Sequence, residues 1–286
     1  MTQPNDAPAP THSARMRELL AHLFPPTTTA PAERRLVDAV LARFLADRHR
    51  FSDILECSLS ADESGLDLAR FSYAFPDLRH NRGAIERNIL AWTTALGPAP
   101  AAAARRVLQA ARSPIVAQLL IGQAHSPTPR TKLYLQFSDD AGPAALALAH
   151  ALLGTDRPTD SDTLPLHLLG LDIGPTGLAS AKLYFAAPIR TYPGLPIPID
   201  QPLWIHRLRD PDDPGFIHAS ELDLACTPAA WSALAAAPAL APHHAARTAF
   251  TALATAFKLR PRRLSLGLGD TRKLNLYYVL DEPEIY

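Results

Sequence analysis

The spacing of apolar residues along the chain changes period several times, and the changes divide it into helices and strand pairs. From Ser13 to about Leu23, Met16, Leu19, Leu20 and Leu23 recur at helical spacing, and Ala32–Ala46 repeats this with Leu36, Val37, Val40, Leu41 and Phe44. The period then falls to two. Ile54–Leu59 and Leu66–Phe75 flank the polar turn Ala61–Gly65, the pattern of a β-hairpin. Helical spacing returns over Arg79–Leu96 and Ala101–Ala111.

The same unit recurs. Ile115–Gln123 pairs with Thr131–Phe137, Leu168–Ile173 with Ala179–Ala186, Leu203–Leu208 with Gly215–Ser220, and Leu264–Leu268 with Leu274–Leu280. Further helices are predicted over Ala141–Leu153, Pro228–Ala236 and His243–Phe257, while the Pro-rich stretch 188–202 excludes regular helix. Strand pairs spaced by roughly 40 to 50 residues indicate a fivefold internal repeat. Ten antiparallel strands of repeated α-β-β-α units can close into a barrel, which removes exposed sheet edges and puts the helices outside. The expected organisation is an α/β fold: an unordered Pro- and Ala-rich tail over residues 1–12, then a single barrel domain over 13–286.

Alternation then assigns faces. In Ala181-Lys182-Leu183-Tyr184-Phe185, Lys182 and Tyr184 share one side of the strand and Leu183 and Phe185 the other. Related strings place Lys132, Tyr134 and Gln136 together, and Lys273, Asn275 and Tyr277 together. Glu56 with Ser58, Arg70 with Ser72, and His218 add polar residues on other strands. With Leu, Val or Phe at most intervening positions, the polar set belongs in the lumen and the apolar set under the helices, where a buried cation would be costly. Trp204 lies in a strand and either faces the lumen or packs in the core.

Charge sharpens the chemistry. Lys+Arg and Asp+Glu both number 28, so the chain has no global attraction for nucleic acid or an anionic membrane, and any anion must be met locally. Converging lysines and arginine in an enclosed cavity suit a compact polyanion, of which diphosphate is the simplest. No GxxxxGK[ST] or GxGxxG occurs, so a P-loop or dinucleotide-binding turn is not the means. Tyrosine rings beside the cations add faces that stabilise a carbocation.

Other motifs fall away. Asp210-Pro211-Asp212-Asp213-Pro214 is acidic, but its prolines forbid the helix that a paired-aspartate magnesium site requires, so it reads as a solvated turn. HExxH, CxxC and GxSxG are absent, as are a basic-then-apolar leader and any long uncharged apolar run. These features point to a soluble, cytoplasmic protein without a metal cage.

The residues resemble the aromatic prenyltransferases of the ABBA, or prenyltransferase-barrel, fold, and among them most closely the cyanobactin-type peptide prenyltransferases. Leu55-Glu56-Cys57-Ser58, then Leu66 and Arg70-Phe71, look like the first hairpin of those enzymes, whose glutamate lies near the acceptor and whose arginine meets diphosphate. Lys132, Tyr134 and Gln136 fall where the family alternates lysine, histidine and arginine, and Tyr184 falls on a family tyrosine. Lys182 replaces an acidic residue, and Gln136 and Asn275 stand where a basic one is common.

The resemblance implies transfer of a dimethylallyl or geranyl group from its diphosphate to a peptide or amino-acid-derived acceptor. A small phenolic or indole acceptor, or an inert binding barrel, is the alternative. Glu56 would be the catalytic base, while Arg70, Lys132, Tyr134, Gln136, Lys182, Tyr184, His218, Lys273, Asn275 and Tyr277 would surround the diphosphate. Trp204 would limit prenyl length from a lumenal position. Magnesium is compatible with the diphosphate, but no motif requires it, and the enzyme is expected to act as a monomer.

Overall fold

A computed structural model of the chain describes residues 12–29, 31–47, 55–62, 65–75, 78–124, 130–154, 164–186, 203–208, 221–225, 231, 243–267 and 273–281. Two helices, α1 (His12–Leu23) and α2 (Pro31–Asp47), precede the first hairpin, β1 (Leu55–Asp62) and β2 (Gly65–Ala74). Helices α3 (Leu78–Thr94) and α4 (Pro98–Ala110) lead to β3 (Val116–Ala124) and β4 (Arg130–Phe137), then α5 (Pro143–Leu153). Strands β5 (Leu166–Gly174), β6 (Gly177–Ala186), β7 (Leu203–Leu208) and β8 (Glu221–Ala225) follow. Helix α6 (His244–Phe257) and the hairpin β9 (Leu259–Gly267) and β10 (Leu274–Leu280) complete the order.

Every strand pairs antiparallel with its neighbours, and β1 bridges β2 on one side and β10 on the other, so the sheet curls round and closes on itself. The contact between β7 and β8 is the shortest seam, spanning only Leu203 to Ile205.

The apolar parity of the strands builds the core. Leu55, Cys57 and Leu59 of β1, Leu133 and Leu135 of β4, Leu183 and Phe185 of β6, and Leu274 and Leu276 of β10 belong to one buried cluster. Leu19, Val40, Ile89, Ala104, Ala145 and Phe250 of the helices are in the same cluster. Each fully buried leucine or phenylalanine contributes about 1.5–3 kcal/mol of transfer free energy, which makes the helix layer a condition of the barrel's stability. The opposite parity, turned away from the helices, is the lumen. Helix ends follow local rules: α5 starts on Pro143 and stops at Gly154, whose φ of 68° lets its N–H return to the His150 carbonyl. The C-terminal end of α6 is held from outside, where the Arg15 guanidinium donates to the carbonyls of Phe257 at 2.7 Å and Lys258 at 3.0 Å.

Two elements depart from the periodicity. The strand paired with β7 is Glu221–Ala225, not 215–220, and the predicted segments 188–202 and 215–220 lie outside the described residues. Of the helix expected over 228–236, only Trp231 is described. Strand β9 begins at Leu259, five residues before the apolar alternation. Its early part, Arg260-Pro261-Arg262-Arg263, looks unlike a strand because proline cannot donate to the ladder. A register shift against Tyr277 and Tyr278 of β10 accommodates it, the kind of irregularity where proline is tolerated. No helix among the described residues is long and apolar enough to cross a membrane.

Candidate active site

Directly opposed residues on adjacent strands share a face, so pairing can be followed around the lumen. One line runs Glu56, Ser72, Gly122, Lys132, Asp172, Ser180 across β1 to β6. Lys132, Asp172 and Lys182 on this wall are buried, 7%, 5% and 5% exposed. Lys132 Nζ donates to Asp172 Oδ1 at 2.8 Å and Ser180 Oγ to Asp172 Oδ2 at 2.9 Å. Arg130 Nη1 is 3.8 Å from Oδ2. Burial by itself would raise the Asp172 pKa. The charges of Lys132 and Lys182, with the hydrogen bonds from Lys132 and Ser180, outweigh it and hold the carboxyl well below the usual carboxylate range.

The next line runs Tyr134, Gly170, Lys182. A Cβ at Gly170 would lie 2.9 Å from both Cδ1 and Cε1 of Tyr134 and 3.5 Å from Cε2 of Tyr184. The two rings therefore converge over the bare backbone of β5, in space that only glycine leaves open. Each tyrosine is two residues, about 7 Å of strand, from the lysine on its own strand. Lys132 lies on the line of Asp172 and Lys182 on the line of Tyr134, so the wall interleaves the lysines with the tyrosines.

Across the lumen, Glu56 and Arg70 occupy the paired strands β1 and β2. Ser72 Oγ donates to Glu56 Oε2 at 3.5 Å, and Arg262 Nε is 4.0 Å from Oε1. Arg70 Nη1 donates to Asn275 Oδ1 at 2.9 Å, which ties β2 to β10 across β1. Tyr277 stands opposite Ser58 on one side and Arg263 on the other, on the lumenal parity.

The structure thus brings Glu56, Arg70, Asn275 and Tyr277 onto one wall, and Lys132, Tyr134, Lys182 and Tyr184 onto another. Gln136 shares the parity of Lys132 but is exposed, near the end of β4. Half-buried Lys273 precedes β10, where its carbonyl accepts the Gly267 N–H at 2.8 Å. For Trp204 the strand position is described but the side chain is not. Its strand position lies opposite Phe185, a core residue, and the lumenal parity of β7 belongs to Leu203, Ile205 and Arg207, the last opposite Lys182. His218 lies outside the described residues.

Sequence reasoning missed Asp172, Ser180 and Arg262. The available signal for Asp172 was a lone acid in phase with Gly170 inside the apolar run Leu168–Ile173. For Arg262 there was none, because its place depends on the irregular pairing of β9. No cluster of three acidic, histidine or cysteine residues suited to a metal ion occurs among the described residues. The oxygens of Asp172 are engaged by Lys132, Ser180 and Arg130, so this carboxylate does not fit a magnesium ligand.

No family model matches the chain, and no curated protein matches it. Among solved structures the fold is similar to that of the prenyltransferase PriB, in a ternary complex with L-tryptophan and dimethylallyl thiolodiphosphate. The TM-score is 0.58 at 16% identity, covering 93% of this chain and 94% of that one. AnaPT from Neosartorya fischeri aligns at a TM-score of 0.45 and 11% identity, over 94% of each chain. The chain shares the fold of the first.

Proposed function

We propose that the protein is a prenyltransferase that moves a dimethylallyl or geranyl group from its diphosphate to a nucleophilic side chain of a peptide or amino-acid-derived acceptor, acting in the cytoplasm as a monomer. The observation that carries this reading is the lumenal wall on which buried Lys132 and Lys182 lie beside the converging rings of Tyr134 and Tyr184. A donor with an anionic head and an allylic tail matches that combination of charge and aromatic surface.

In this reading Arg70, Lys132, Lys182 and Lys273 take up the charge that develops on the departing diphosphate as the C–O bond breaks, and so lower the barrier to ionisation. Tyr134, Tyr184 and Tyr277 present π faces to the allyl cation, worth about 0.5–2 kcal/mol each, and keep water from it. The acceptor atom then bonds to the allylic carbon and passes its proton to Glu56. Ser72 and Arg262 orient that carboxylate, and Asn275 orients Arg70.

The test is incubation with dimethylallyl diphosphate and a panel of Trp, Tyr, His and Arg peptides, the free amino acids, and small phenols and indoles, read as a mass gain of one prenyl unit. Glu56→Gln is expected to abolish transfer while leaving diphosphate binding intact. Unchanged turnover in that variant would remove Glu56 as the base. Binding of donor with no product from any acceptor would make the protein an inert binding barrel instead.

A further inference from the structure

The lumen holds an anion of its own. Asp172 lies among Lys132, Lys182 and Arg130, buried on the face where the donor's diphosphate would have to bind. Lys132 and Lys182 are buried too, and two ammonium groups so placed repel each other and lose hydration unless an anion lies between them. Asp172 supplies that anion in the folded chain, and Ser180 steadies it from the neighbouring strand at 2.9 Å. The same carboxylate opposes any second anion that enters.

We propose that Asp172 is a built-in counter-anion, a positioning residue that holds Lys132 and Lys182 in the lumen and yields them to the donor's diphosphate, weakening the grip on diphosphate enough for the product to leave. This rests on the reading of the lumen as a diphosphate site. The charge acts on both substrate and product, so its effect differs in sign from that of a merely structural group. A scaffold residue, once lost, loosens the site and weakens binding. A competing charge, once lost, tightens it.

Asp172→Asn separates the two, because the amide oxygen still accepts from Lys132 while the charge is gone. Inorganic diphosphate, titrated by calorimetry into the full-length wild type and the variant, is expected to bind Asp172→Asn about thirty- to a hundredfold tighter, the scale of two unit charges about 6–8 Å apart at an effective dielectric of about 20. In turnover, kcat and the donor KM should fall together while inhibition by diphosphate strengthens. Equal or weaker diphosphate binding by Asp172→Asn overturns the inference.

Should the single variant not fold, the pair Lys132→Met/Asp172→Asn removes opposite charges together. It must then bind diphosphate more tightly than Lys132→Met alone, and equal affinity overturns the inference by this second route. If the wild type neither binds inorganic diphosphate nor transfers a prenyl group, the diphosphate reading itself fails and takes this inference with it. If the wild type does both and Asp172→Asn binds no tighter, only the role of Asp172 falls.

Discussion

Replacing Gly170 with alanine probes the point where the two lumenal tyrosines meet. The added methyl would stand 2.9 Å from two ring carbons of Tyr134, whereas carbon atoms in ordinary contact lie about 3.5–4.0 Å apart, so the ring must retreat by about 0.6–1 Å. Overpacking of this kind costs about 1–3 kcal/mol. Alanine recovers about 0.5–1 kcal/mol of the entropy that glycine loses in a strand. The expected net loss is about 1–2 kcal/mol, read as a lower urea midpoint with an unchanged slope.

The effect on prenyl transfer should be larger. A displacement of about 1 Å in a group lining the reaction can cost about a hundredfold in rate, against a fold that remains almost fully populated. The decisive measurement is a double-mutant cycle with Tyr134→Ala. Without the ring, Gly170→Ala should be neutral or stabilising. If it costs the same in both backgrounds, the methyl is not meeting Tyr134 and the convergence of the rings is not what requires glycine here.

Other consequences follow from the buried charges and the thiol. Lys132→Met leaves Asp172 without its 2.8 Å partner, and loss of one member of a buried pair costs about 3–5 kcal/mol, at the lower end here because Lys182 and Arg130 remain; a urea midpoint close to wild type would refute the pairing. The folded-state pKa of Asp172 is depressed, so its stabilisation is present above the unfolded value of about 3.9 and is lost as pH falls further. Thermal melts should therefore show the wild type losing its advantage over Asp172→Asn only below about pH 4, and a loss already complete near pH 6 would contradict the assignment. Burial, and next the charge of Glu56, push the Cys57 thiol upward, so a thiol reagent at pH 8 should label Cys57 only as the protein unfolds, and rapid labelling of the native state would place it elsewhere.

Much of the lumen was legible because strand alternation is a local property. Lys132 with Tyr134, Lys182 with Tyr184, and Asn275 with Tyr277 fall on the lumenal parity because the leucines and phenylalanines between them are drawn under the helices. The limits were equally physical. The first half of strand β9 escaped notice because Pro261 and three arginines conceal a strand whose pairing slips at β10. The pairing partner of β7 was placed too early because Pro- and Asp-rich sequence carries no period. Trp204 was ambiguous because the face of a short strand is set by its register against β6.

Alternation by itself determined which side chains could share a face, and the composition of those faces determined that one would bury cations beside tyrosines. Which of them meet was decided only by tertiary pairing. Asp172 and Lys132 are far apart in the chain, and nothing in either local string requires that β4 and β5 align them at 2.8 Å. A strand's period of two is set by its own backbone, whereas register is set by the hydrogen bonds and packing of its neighbours, so the counter-ion between the lysines and the glycine beneath the tyrosines exist only once the barrel is assembled.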